Sequence, residues 1–260
     1  MRIGVCASVA TMASAVNTGL DYLEENVQAL LVPQQDDAAF AAKLAAAGGV
    51  AVPIKAANCF LPGALKCVGP AVDMPKLVAY AQTAFARAAQ VGIEVIVFGS
   101  GGARQVPPGF DVAAASQQFV AFLRELGPLA EAQGVFIAVE PLNRAECNFI
   151  NSLEEGAALV TAANHPHIRL LADLYHMARE QEEPDELEIY GELIRHVHIA
   201  EVAERTCPGI RGDDFRPYLQ ALKYLNYYGG ISIECRWQDF ATELPVGTRY
   251  LRRQLQEVGY

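Results

Sequence analysis

Three carboxylates and one imidazole fall at the ends of four consecutive apolar runs. Glu140 follows 135–139, Asp173 follows 168–172, His198 sits in 196–199 and Glu234 follows 231–233. Carboxylates that converge without a cation repel one another, and at least one would have to hold its proton. A divalent ion removes that conflict. Three oxygen donors and one nitrogen suit manganese or magnesium, with cobalt and zinc also compatible. Each acidic group taken alone could instead cap a helix or pair with an arginine, but four such groups at successive run ends point to one shared cation.

Other polar residues stand close to these four. Glu146 follows Glu140 in the segment EPLNRAEC, with Asn143 and Arg144 between them. His176 follows Asp173 in DLYH, and Arg205 lies beyond His198. Each could hold a hydroxyl or carbonyl of a polyol. Asn58, Cys59 and Phe60 come after the third run and GSGGARQVPPGF (99–110) after the fourth, and the glycine amides there could cradle an anion or serve stability. Arg104, Arg144, Arg205 and Arg211 leave room for a charged substrate group. His196 alternates with His198, so the two point to the same side and His196 either backs the site or fills the interior. Trp237 is an aromatic wall or a packed loop residue. His165 and His167 precede the sixth run and read as structural, and Cys6 and Cys235 as small core residues.

Placing the four groups on one rim requires a particular architecture. Apolar runs at 3–6, 21–23, 50–54, 93–98, 135–139, 168–172, 196–199 and 231–233 are each followed by a segment with helical signals. Between the fourth and fifth runs, Phe119, Phe122, Leu123, Leu126 and Ala130 recur at helical spacing before Gly134. Pro75 opens an earlier helix that Gly92 ends, and Ser152 with Glu155 spells a capping box. Acidic clusters at 34–37 and 180–185 read as solvated charge. Strands alternating with helices demand a parallel sheet. An open doubly wound sheet would carry a glycine-rich turn after its first strand, whereas Ala7 to Ala10 stand there. The expected fold is therefore α/β, a single (β/α)8 TIM barrel over residues 1–260, whose strand C-terminal ends carry the chemistry.

Composition narrows the function classes. The 260 residues are 52% hydrophobic and 19% charged, with 20 basic against 30 acidic side chains and a net charge of -10. Such a chain buries a large core, which excludes disorder. Its charge disfavours nucleic acid and anionic membranes as partners. Six scattered cysteines without a CxxC read as reduced thiols, and with no signal peptide and no apolar run of spanning length the expected location is the cytoplasm.

The runs VFGSGGARQVPPGF, VEPLNRAECNFINS, LADLYHM, HVHIAE and ISIEC resemble those of the xylose isomerase-like TIM-barrel superfamily, the sugar phosphate isomerase/epimerase group. Within it, the ketose 3-epimerases and hydroxypyruvate isomerase are most alike. The resemblance implies one divalent metal ion, manganese foremost, held by Glu140, Asp173, His198 and Glu234. It further implies a small sugar substrate, with Glu140 and Glu234 as the acid/base pair acting through an enediolate. Glu146, His176 and Arg205 would position that substrate, with Asn58 beside them. The Arg205 spacing is one residue longer than in the 3-epimerases, which leaves Arg211 as its rival. Such relatives commonly associate, so a homo-oligomer is expected. Two other reaction classes use this scaffold. An inosose dehydratase-like lyase shares the metal set. An AP-endonuclease-like hydrolase needs further histidines at the third and fourth strand ends and a D-x-H, none of which this chain has.

Overall fold

Parallel neighbours cannot be joined by a hairpin, so each strand must be followed by a segment long enough to carry the chain back. The computed structural model, which describes residues 1–13 and 18–260, shows this repeat eight times. Strands β1 (Arg2–Cys6), β2 (Tyr22–Asn26), β3 (Ile54–Asn58), β4 (Val95–Phe98), β5 (Phe136–Val139), β6 (Ile168–Asp173), β7 (Ile194–Ile199) and β8 (Gly230–Ile233) pair in chain order. β8 closes back onto β1 to complete a barrel.

The sequence punctuation works largely as expected. Asp36, Asp73, Asp111, Ser152 and Asp239 each accept a backbone N–H at the start of a helix. Gly92 ends the helix Met74–Val91 with φ 87°, a conformation open to glycine. At Ser152 only half of the capping box forms. Its hydroxyl takes the Glu155 N–H at 3.1 Å, but the Glu155 carboxylate takes the N–H of Asn151 at 2.7 Å.

Two strand placements differ from the sequence expectation by more than two residues at the C-terminal end. β2 extends to Asn26 rather than ending at Leu23, and β3 covers 54–58 rather than 50–54. In both, the true strand end is polar, and a search for apolar runs stops short of it. Residues 50–53 belong to the connection after the helix Asp37–Ala47.

Two layers of core hold the barrel. Outside the strands, Phe60, Phe85, Phe98, Phe119 and Phe122 pack ring on ring with centroids 5.1–6.0 Å apart, locking the β4 region to helices Met74–Val91 and Val112–Ala132. Inside, Tyr22, Ala56, Val95, Val97, Ala138 and Leu171 form a separate apolar plug. The Tyr22 ring fits only because β1 carries glycine beside it: a Cβ on Gly4 would come within 2.2 Å of that ring. The remaining interior is polar and contains Glu24, His196, His198 and Ser232, all buried.

The acidic stretch 180–185 is less solvated than its composition suggests. Glu182 accepts the Leu153 N–H at 2.7 Å at the start of helix Leu153–Ala163. Burial pushes its carboxyl up to about 7 from the ordinary 4.5, and neighbouring Glu186, Glu180 and Glu155 add to the rise. A folded-state value above the unfolded one gives stability that is complete below about 4.5 and lost as pH rises through about 7. Glu182→Gln keeps an acceptor for Leu153 and removes the titration. Denaturant unfolding at pH 5 and pH 8 should show the variant gaining on the parent protein at pH 8 but not at pH 5.

Candidate active site

β5, β6, β7 and β8 deliver Glu140, Asp173, His198 and Glu234 to the C-terminal mouth of the barrel. One donor atom from each lies within 4.8 Å of the others. His198 is fully buried, and its Nδ1 stands 3.3 Å from Glu140 Oε1 and 3.3 Å from Glu234 Oε2. Asp173 uses Oδ1 to accept the N–H groups of Tyr175 and His176 at 2.8 and 3.3 Å, which leaves Oδ2 facing the site.

The electrostatics follow from burial and crowding. Burial first, then the charges of Glu234 and Asp173, hold the Glu140 carboxyl above its ordinary range against the pull of His198. Burial would raise Asp173 too, but His176, Arg205 and His198 together bring it down. Burial opposes charge on His198, yet Glu24 and Glu234 outweigh it and push the imidazole well up. The site thus calls for positive charge. Two of its buried atoms, Glu140 Oε1 and His198 Nδ1, have no hydrogen-bond partner, as an ion-binding donor set requires. Three carboxylate oxygens and one imidazole nitrogen fit a divalent metal. A second trio, Glu24 with His196 and His198, is already joined by ring-nitrogen hydrogen bonds to the carboxylate and offers no comparable opening.

The expected neighbours gather around the same point. Asn58, at the end of β3 and not in the loop beyond it, donates to Glu234 Oε1 at 3.0 Å. His176 Nδ1 accepts the backbone N–H of Asn143 at 3.1 Å, which places the ring proton on Nε2, an atom with no hydrogen-bond partner. Glu146 accepts from the Asn143 side chain at 3.0 Å and lies 3.7 Å from Arg205. Arg205 also reaches Asp173 at 3.4 Å and Glu234 at 2.5 Å, with its guanidinium 4.7 Å from the Tyr175 ring centre. Together they line a cavity of about 260 Å³.

The structure separates Arg205 from its rival. Arg211 pairs with Glu204 on the surface, whereas Arg205 lines the cavity. Glu204 and Arg205 both have positive φ, 61° and 54°, a sparsely populated state for residues other than glycine. The buried Glu201 over-determines it, because its carboxylate takes the N–H groups of Gly209, Arg211 and Gly212 at 2.6–2.8 Å and the Thr206 hydroxyl at 2.7 Å. Arg104 is buried elsewhere, donating to the carbonyls of Phe98 and Ile150, and Arg144 pairs with Glu180 and Glu155. Among the described residues, Arg205 is the one cationic side chain that lines the cavity. Trp237 packs on Phe240 with centroids 4.9 Å apart and does not line it, and His165 and His167 lie at the opposite end of β6.

Two further contributors carried little signal in the sequence. Glu24 lies one residue past the apolar run assigned to the second strand and is fully buried against His196 and His198. Gly99 makes room for Glu140, since a Cβ there would come within 2.1 Å of Oε2.

The model of the xylose isomerase-like TIM barrel family matches residues 12–256, and the chain belongs to that family. The chain is 32% identical over 115 residues to the 3-dehydro-D-guloside 4-epimerase of Escherichia coli K12, a match covering 44% of each chain. It is 34% identical over 116 residues to the L-ribulose 3-epimerase of Methylomonas sp. DH-1, covering 44% of this chain and 40% of the other. These matches span less than half of the relatives' own length. The whole fold superposes on the D-allulose 3-epimerase of Methylomonas sp. in complex with D-allulose, with a TM-score of 0.83 at 24% identity over 98% of this chain and 97% of that one.

Three substitutions follow from this geometry. Gly99→Ala should displace the Glu140 carboxylate while the fold survives, because the clash is with a side-chain end. A misplacement of that size should lower turnover on the order of 100-fold with little change in Tm. Arg211→Ala should leave kcat/KM unchanged while Arg205→Ala lowers it, and steady-state kinetics of the two variants decide between them.

Proposed function

We propose that this chain is a divalent-metal-dependent sugar epimerase or isomerase acting on a ketose or related polyhydroxy carbonyl compound through an enediolate. One observation carries the proposal: a carboxylate–imidazole set on four adjacent strand ends, with Glu140 Oε1 and His198 Nδ1 buried and unpartnered. Glu140, Asp173, His198 and Glu234 would hold the ion, with manganese the best match to a hard, oxygen-rich donor set. Bound there, a divalent cation supplies Lewis-acid stabilisation of the negative charge that develops on substrate oxygens.

The chain's own groups account for the rest. A carbon-bound proton next to a carbonyl is weakly acidic, and its removal needs a positioned base. Glu140 and Glu234 are the proposed pair: one removes the proton and the other returns it. Return to the opposite face of the same carbon epimerises, and return to the adjacent carbon isomerises. Asn58 and Arg205 fix the Glu234 carboxylate from two sides. His176, whose Nε2 lies 3.5 Å from Asp173 Oδ2 without a hydrogen bond, and Glu146 are the proposed contacts to substrate oxygens, and Arg205 is tied up by three carboxylates. The cavity of about 260 Å³ is near the lower end of small-ligand pockets, roughly 300–1,000 Å³.

The relatives support the same chemistry. A 3-dehydro sugar epimerised at carbon 4 and a 2-ketose epimerised at carbon 3 both invert a centre adjacent to a carbonyl. That is the bond an enediolate mechanism makes labile. A nuclease on this scaffold lacks support, since β3 and β4 end in Asn58 and Phe98 and not in histidines.

The test is solvent exchange. With manganese in D2O, the protein should wash deuterium into one or more members of a panel of free ketoses. Dialysis against a chelator should stop the exchange and manganese should restore it. Glu234→Gln should abolish exchange while keeping the parental Tm. Absence of exchange with every ketose and every divalent metal tried would overturn the proposal.

A further inference from the structure

His198 can serve the rim only if its Nδ1 presents a lone pair, and an imidazole has two tautomers. Which one forms is set by the partner of the other ring nitrogen. That partner is Glu24, from the opposite wall of the barrel, whose Oε1 lies 2.8 Å from His198 Nε2. Its second oxygen, Oε2, lies 2.7 Å from His196 Nε2. An ionised carboxylate only accepts, so both imidazoles must bring their Nε2 protons to it.

We infer that Glu24 is a positioning residue for the proposed metal centre, holding His198 in the Nε2–H tautomer with Nδ1 directed at Glu140 and Glu234. Glu24 is not itself a ligand of that centre, because it sits on the Nε2 edge of the ring and the other carboxylates on the Nδ1 edge. His196 is the second clamp on the same carboxylate. It is held in turn by Ser232 Oγ at 3.2 Å, which bonds Tyr22 Oη at 2.8 Å. A buried chain from Tyr22 through Ser232, His196 and Glu24 therefore ends on His198, and each member is 2% exposed or less. A mere filler of the barrel would need no such polarity, since Ala56, Val97 and Leu171 fill the adjoining space without it.

The inference rests on the proposed metal site, and the experiment separates the two. Mn2+ is titrated into the full-length protein and its Glu24→Gln variant while the signal of free Mn2+ is followed by electron paramagnetic resonance. Glutamine has one acceptor oxygen for two imidazole N–H groups, so one ring must turn its tautomer or lose its bond. The dissociation constant should rise about 10–100-fold, the usual effect of losing such a partner. Equal affinity of the folded variant and the parent overturns the inference alone, and failure of the parent protein to bind overturns the metal site and the inference together. To keep the test independent of the folding of Glu24→Gln, the parent protein labelled with 15N in histidine is also examined with 113Cd2+. Cadmium coupling to His198 Nδ1, with Nε2 still protonated, is the expected result. Coupling to Nε2 overturns it.

Discussion

The structure is organised around a surplus of buried negative charge. Glu24, Glu140 and Asp173, with the half-buried Glu234, crowd one end of the barrel, against Arg205 and the imidazoles of His176, His196 and His198. Carboxylates withdrawn from water at this density are tolerated only where each has a compensating partner. The partners divide the work. Glu24 is satisfied by two imidazoles, Asp173 by two backbone amides, and Glu234 by Asn58 and Arg205. The Glu140 oxygen facing His198 is left over, and with it the edge of His198 that faces the same point.

The barrel meets this constraint with geometry that a generic hydrophobic fold would not need. Strand ends fix four side chains on a rigid frame, while Asn143, Glu146, His176 and Arg205 come from the loops and short helix just beyond. Loop placement is the harder task. The 201–213 segment solves it by wrapping around the Glu201 carboxylate, which is what allows Arg205 to sit in an unfavourable backbone region and still point inward. Glycine at 99 clears the volume that the Glu140 carboxylate occupies.

Much of this was legible in the sequence, for a physical reason. Where an apolar run ends in Glu, Asp or His, both the strand and its polar tip are visible, and the four groups that converge beyond β5 to β8 could be named from that pattern. β2 and β3 hide the same information because their interior positions are polar or small. Tyr22, Glu24 and Asn26 alternate on one face of β2, yet an apolar search stops at Leu23. The choice between Arg205 and Arg211 could not be made from spacing, because it depends on two consecutive left-handed residues and on the bonds of Glu201 across the loop. Glu182, read from composition as solvated, is held at a helix start by a bond whose partner lies 29 residues away.

The line of hydrogen bonds from Tyr22 to His198 also bears on how such a barrel can vary. Tyr22 fits only beside Gly4 and Gly230, Ser232 needs both Tyr22 and His196, and Glu24 needs both histidines. Changing any one of them strands a buried partner, and groups that share partners in this way do not contribute additively. Three strands supply the members of this line, β2, β7 and β8, and β1 contributes the Gly4 that makes room for the Tyr22 ring. The axis of the barrel is therefore one energetic unit, in which a substitution at any member has to be matched by changes at its partners.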